Sequence, residues 1–220
     1  MRTVAALALL AMVACVTAPS SGESIDVLDY VLGKADTWPR HGAPNHHQHQ
    51  NIEGDRVCWT KYTLPWSYEC WRWDDAYIYH AVDHAVDGNR RWEHYVFSDG
   101  RWLPRRLVKG EIWSLDLLDN RLTWFDAACN RADERPAPYR VRAWYEGLVD
   151  AGGDLGIRDV LVLSYQPDPD HAGPSTGEHF YFAKGAGWYR WTRGSADVWF
   201  NQIGGVARPP TPLCAKDFQG

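Results

Sequence analysis

From Val57 onward the chain is a succession of short runs rich in Val, Ile, Tyr, Phe, Trp and Thr, each ended within a few residues by a turn signal. The signals are Leu64-Pro65, Asp87-Gly88, Ser98-Asp99-Gly100, Lys109-Gly110, Asp119-Asn120, Pro136-Ala137-Pro138, Gly185-Ala186-Gly187 and Arg193-Gly194-Ser195. β-Branched and aromatic residues suit a pleated, half-buried surface, and Pro, Gly, Asp and Asn interrupt it. Strands are expected at 57–63, 69–73, 76–86, 91–98, 102–107, 111–117, 121–125, 139–145, 158–166, 178–184, 187–192 and 196–201. There is no alternation of helix and strand, no internal repeat and no linker. The pattern therefore predicts an all-β chain: one antiparallel β-sandwich, jelly-roll or barrel-like domain over residues 24–220. One short N-terminal helix is expected at Ser24 to Gly33, capped by Ser24, favoured by Asp26 near its start and ended by Gly33.

The densest stretch is Cys70 to Phe97, a hairpin turning at Asp87-Gly88-Asn89. Side chains alternate faces along a strand. Ile78, His80, Val82, His84 and Val86 should then share one face, and Tyr77, Tyr79, Ala81, Asp83 and Ala85 the other. A three-residue loop would set His84 opposite Trp92 and Val82 opposite His94, gathering His80, His84 and His94 on one face. A two-residue loop would set His84 opposite Arg91 and turn the second strand over.

Residues 1–23 read as an export signal. Met1-Arg2-Thr3 precedes an apolar run from Val4 to Ala14 that is too short to span a bilayer. Cys15 after Met12-Val13-Ala14 resembles a lipoprotein box, so the mature chain is expected to be secreted or tethered at the periplasm or cell surface. Cys58, Cys70, Cys129 and Cys214 remain, and an even number in an exported chain implies two disulfides. Three pairings exist; the hairpin around Leu64-Pro65-Trp66 favours Cys58–Cys70, with Cys129–Cys214 pinning the tail.

The formal charge of −5 and the absence of a basic run argue against nucleic acid as a partner. Thirteen Trp and eleven Tyr exceed what one core of this size needs, so some rings are expected on the surface, where they can stack on sugar rings. The expected partner is a polysaccharide or other glycan. Two functions follow from the same inventory.

In the first, the protein is a polysaccharide lyase or glycoside hydrolase working in an aromatic-lined cleft. His80, His84, His94 and Tyr79 would supply acid and base, Arg91 would hold a uronate, and Glu93 would be one carboxylate. Other carboxylate candidates are Asp74, Asp75, Asp83, Glu111 and Glu178. Trp71, Trp73, Trp92, His179, Tyr181 and Trp188 would line the ligand. In the second, the protein is a non-catalytic glycan-binding domain whose histidines are structural. His46, His47 and His49 contain a His-x-His pair, but no third ligand lies nearby, so no metal or other cofactor is expected.

Overall fold

The computed structural model describes residues 22–33, 46–61, 68–86, 92–96, 100–117, 121–126, 128, 130–136, 139–150, 157–167 and 177–202. Residues 1–21 of the expected signal segment, with Cys15, as well as Arg91 and the expected Cys129–Cys214 bond, lie outside them.

The fold is all-β. Its strands are β1 (Ser24–Asp26), β2 (His46–Glu53), β3 (Arg56–Lys61), β4 (Tyr68–Trp73), β5 (Tyr77–Val86), β6 (Trp92–Val96), β7 (Arg101–Pro104), β8 (Arg106–Val108), β9 (Ile112–Leu117), β10 (Arg121–Phe125), β11 (Arg131–Pro136), β12 (Tyr139–Asp150), β13 (Ile157–Pro167), β14 (Glu178–Ala183), β15 (Gly187–Arg193) and β16 (Ala196–Gln202), with helix α1 at Leu28–Val31. One sheet runs in the order β11-β10-β6-β5-β4-β3-β2-β16-β15-β14-β13-β12-β9. Every pairing in it is antiparallel except β2 with β16. β7 leaves this path to pair with β5, and it approaches β9 and β12. The sheet thus curls until its two halves share one interior.

That interior is aromatic. Trp59 and Trp71 from β3 and β4 meet Phe182 and Trp188 from β14 and β15: Trp59 to Trp188 is 5.6 Å between ring centroids, and Trp71 to Phe182 is 5.4 Å. Val57, Leu161, Leu163 and Phe180 belong to the same buried cluster. Trp71 and Trp188 were expected to line a ligand; at 1 % and 8 % exposure they are core side chains. Each large ring removes roughly 150–250 Å² from water, which is why facing aromatics can hold two sheet halves together.

The N-terminal stretch packs into the core, although not as the Ser24–Gly33 helix its sequence suggests. Ser24–Asp26 pairs with β8 instead. The helix is a single turn, whose first amide, from Leu28, donates to Asp26 Oδ1 at 3.0 Å. Asp26, not Ser24, thus does the capping work, and it also pairs with the Arg105 guanidinium at 2.9 Å. Val27, Tyr30 and Val31 are buried in the core, and the amide of Gly185 donates to the carbonyl of Asp29 at 2.8 Å.

Two segments outside the expected strands are strands. β2 carries the His/Gln/Asn run and takes its form from neighbours on both sides, β3 and β16. β11 (RADERP) has almost no apolar content and forms by pairing with β10. A charged edge strand ending in Pro is a surface that resists further pairing.

The hairpin register differs from both expected loop lengths. Val86 pairs with Trp92, His84 with His94 and Asp83 with Tyr95, so residues 87–91 separate the strands. A bulge also interrupts β5. Cys70 faces Val82 but Trp71 faces His80, leaving Ala81 as the extra residue. Cys70 and Trp71 are consecutive on β4 and so lie on opposite faces, and His80 follows Trp71. The regular alternation expected along Tyr77 to Val86 is broken at Ala81.

Cys58 and Cys70 stand directly opposite on β3 and β4, with Cα atoms 4.1 Å apart, and form a disulfide. The bond closes a separation of 12 residues. For a loop of that length, replacing both cysteines by Ala is expected to lower unfolding stability by about 2–4 kcal/mol. Urea denaturation of the double variant checks it, and an unchanged midpoint would contradict it.

Candidate functional site

Two groups of side chains combine chemistry with position: one faces the interior and one faces outward.

The inner group centres on His80. Its amide donates to the carbonyl of Gly100 at 2.7 Å. Gly100 has φ +70°, and a Cβ there would sit 3.3 Å from the His80 carbonyl oxygen, so glycine lets the chain pass this close. The imidazole packs edge-on against Trp102 at 4.6 Å and Trp71 at 6.1 Å. Its Nε2 lies 3.3 Å from Glu69 Oε1, and the same oxygen accepts a 2.7 Å hydrogen bond from Trp71 Nε1. Glu69 had no distinguishing signal in the sequence. Only the register, with Glu69 one step from Trp71 on the interior face, brings it to His80.

His80 is 3 % exposed, and burial holds its pKa down to about 3. Desolvation outweighs the adjacent carboxylate because the charged form would lose its water on every side. A neutral imidazole sealed between two indoles is a packing element.

Of the other members of the expected catalytic set, Tyr79 is the one whose side chain is described, and it does not converge on His80. Tyr79, the next residue along β5, lies on the opposite face. Its hydroxyl donates to Asp74 Oδ2 at 2.6 Å, a bond that raises the phenol pKa and lowers that of Asp74. Asp74 also accepts from the amides of Ala76 and Tyr77, so it organises the β4–β5 turn. Asp75 and Glu111 are exposed, and Asp75 pairs with Arg105 at 3.5 Å. Glu178 is held by Arg193 at 3.1 Å and Trp191 Nε1 at 3.3 Å, and burial raises its carboxyl pKa. His84, Trp92, Glu93 and His94 are placed by register alone: His84 opposite His94, Ala85 opposite Glu93, Val86 opposite Trp92. Trp73 packs partly buried against the core. His47 and His49 lie on β2, opposite Asn201 and Thr60 respectively. Among the described residues no group of three or more His, Cys, Asp or Glu could hold a metal ion.

The outer group lies across β12–β16. Register carries one row straight over five strands: Trp144, Val162, Tyr181, Arg190, Trp199. All are half-buried except Val162, which is buried. The Arg190 guanidinium lies 5.0 Å from the Tyr181 ring centroid and 4.7 Å from that of Trp199. Asp197 fixes it with two bonds of 2.8 and 2.9 Å, which raise the arginine pKa further. The Trp144 indole N–H donates to Glu146.

A second row follows on the same face: Arg142, Ser164, His179, Thr192, Asp197. His179 is half-buried between Trp144 (6.2 Å) and Tyr181 (6.4 Å), and burial lowers its pKa. The structure thus brings His179 and Tyr181 together, while Trp188, expected beside them, points into the core. Trp144, Arg190 and Trp199 join them through long-range pairing, which no local pattern encodes.

Comparison with family models, with curated proteins and with solved structures finds no match.

The inner site makes a pH prediction. His80 binds a proton in the unfolded chain below about pH 6.5 but resists it in the fold until about pH 3, so the unfolded state holds more protons between those values. Its contribution to stability is present above pH 6.5 and is lost as pH falls toward 3. Denaturant midpoints of the wild type should drop across that window, and His80→Phe should show a shallower fall. Parallel curves for the two proteins would contradict the assignment.

Proposed function

We propose that the protein is a glycan-binding β domain whose working surface is the outer face of β12–β16. The observation that carries the reading is the row Trp144–Tyr181–Arg190–Trp199, in which half-exposed rings and a fixed guanidinium lie in line across the sheet. Sugar rings offer C–H faces to aromatic rings and hydroxyls to polar side chains at their edges. The adjoining row of Arg142, His179, Thr192 and Asp197 supplies those polar groups. Asp197 and Tyr181 hold Arg190 in place, so little side-chain entropy is lost when a ligand arrives.

Binding is favoured over cleavage by the state of the two acid–base candidates whose side chains are described, His80 and Tyr79. Cleavage of a polymer needs a base and an acid that touch the substrate at the working pH. His80 is sealed and neutral, and Tyr79 is engaged by Asp74. We place the domain outside the cell or at its surface. The Cys58–Cys70 disulfide is compatible with that setting, and among the described residues no helix is long and apolar enough to cross a membrane.

Tryptophan fluorescence of the mature protein, titrated with a panel of soluble polysaccharides, tests the reading. At least one polymer should shift the spectrum saturably. Trp144→Ala and Trp199→Ala should each weaken that binding about 5- to 10-fold, the loss of roughly 1 kcal/mol of stacking, with melting temperatures held within a few degrees. Release of new reducing ends or of unsaturated products would instead mean an enzyme.

A further inference from the structure

The outer row fixes more than a class of ligand. Trp144, Tyr181 and Trp199 stand on β12, β14 and β16, so one intervening strand separates each ring-bearing strand from the next. Neighbouring strands lie about 4.8 Å apart, which sets the three rings at intervals of roughly 10 Å over a span of roughly 19 Å. A pyranose chain joined through equatorial bonds is extended and turns over at each residue, so it presents the same ring face at every second sugar. That two-residue repeat is close to two strand spacings.

We infer that the face takes a linear, equatorially linked, uncharged pyranose polymer lying across the strands, with alternate sugars seated over Trp144, Tyr181 and Trp199. The inference rests on the glycan-binding reading above.

The order of groups along the row supports the path. Between the Tyr181 and Trp199 positions lies Arg190 on β15, within 5.0 Å of both ring centroids and held by Asp197 through Nε and Nη2, so an intervening sugar would meet a fixed guanidinium and not a ring. Between Trp144 and Tyr181 lies Val162 on β13, an aliphatic side chain of the buried cluster against which both rings pack, so the row carries no ring at that step. Sheet twist of about 20–25° per strand staggers the three rings, which suits a polymer that itself winds slowly about its axis.

The charge on this face argues for an uncharged chain. Arg190 is neutralised by Asp197 in a two-bond pair. Arg142 is exposed but shares the face with Glu146, which accepts from Trp144. Among the described residues, these two guanidinium groups and two carboxylates balance, which gives a polyanion no net attraction.

The experiment is a calorimetric titration of the full mature chain with β-1,4-linked glucose, mannose and N-acetylglucosamine oligomers of about two to six units, and with an oligouronate as the charged arm. Affinity should climb with length until about five units span the row, by roughly tenfold or more from a dimer to a pentamer. In Trp144→Ala and Trp199→Ala the pentamer should bind about as a trimer binds the wild type. The uronate should bind at least tenfold more weakly than the matching neutral oligomer. Three results would overturn the inference while leaving a glycan-binding domain standing: affinity flat beyond a disaccharide, length dependence unchanged in both variants, or preference for the uronate. No heat with any oligomer, together with no fluorescence shift on any polysaccharide, would remove the underlying reading as well.

Discussion

Everything in this structure depends on a meeting of aromatic rings inside one curled sheet. Trp59 and Trp71 come from one half and Phe182 and Trp188 from the other. Without that contact the two halves would be an open ribbon of hairpins with a wet face on each side. The contact is non-directional in origin, since it removes apolar area from water, yet the rings give it shape: Trp59 meets both Trp71 and Trp188 edge-on, at interplanar angles of 79° and 85°. The N-terminal turn then packs into that core, held by the Asp26–Arg105 pair and the Asp29–Gly185 hydrogen bond.

The choice of which rings fill the interior decides which are left for work outside. A strand with one face in the core must turn its alternate residues outward. On β14, Phe180 and Phe182 go in, so His179 and Tyr181 go out. On β15 a bulge near Tyr181 and Phe182 lets Trp188 enter the core while Arg190 faces out beside Tyr181. On β16, Phe200 is core and Trp199 joins the outer cluster. The outer row is therefore a by-product of core packing that has been given chemically useful members. The inner histidine is the converse case. His80 reached the core face because Ala81 bulges, and there it serves as a neutral aromatic between Trp71 and Trp102.

Much of the strand plan was readable in the sequence because local signals were strong. Asp-Gly and Gly-Ala-Gly turns and β-branched runs mark β5, β13, β14 and β15 well, and Cys58 faces Cys70 as their flanking hairpin implies. What was not readable depended on partners distant in the chain. The polar runs of β2 and β11 become strands because neighbours offer them a ladder. Ser24–Asp26 leaves its helix because β8 lies alongside. The face of His80 turns on one extra residue in β5, and no pattern of hydrophobicity distinguishes a bulged strand from a regular one. The same limit hid the candidate site: His179 and Tyr181 stood out as neighbours in sequence, but Trp144 and Trp199 join them only through the registers of four strand pairs.

Buried and outward-facing aromatic rings differ in their access to solvent, and selective oxidation of indoles reads that difference directly. Brief treatment of the native protein with N-bromosuccinimide, followed by peptide mass mapping, would report each tryptophan separately, with and without a bound polysaccharide. Trp144 and Trp199 should oxidise in the free protein and be protected by the ligand, while Trp71 and Trp102 stay intact in both. Oxidation of Trp71 or Trp102 at the same rate as Trp144, or ligand protection that misses both Trp144 and Trp199, would contradict it.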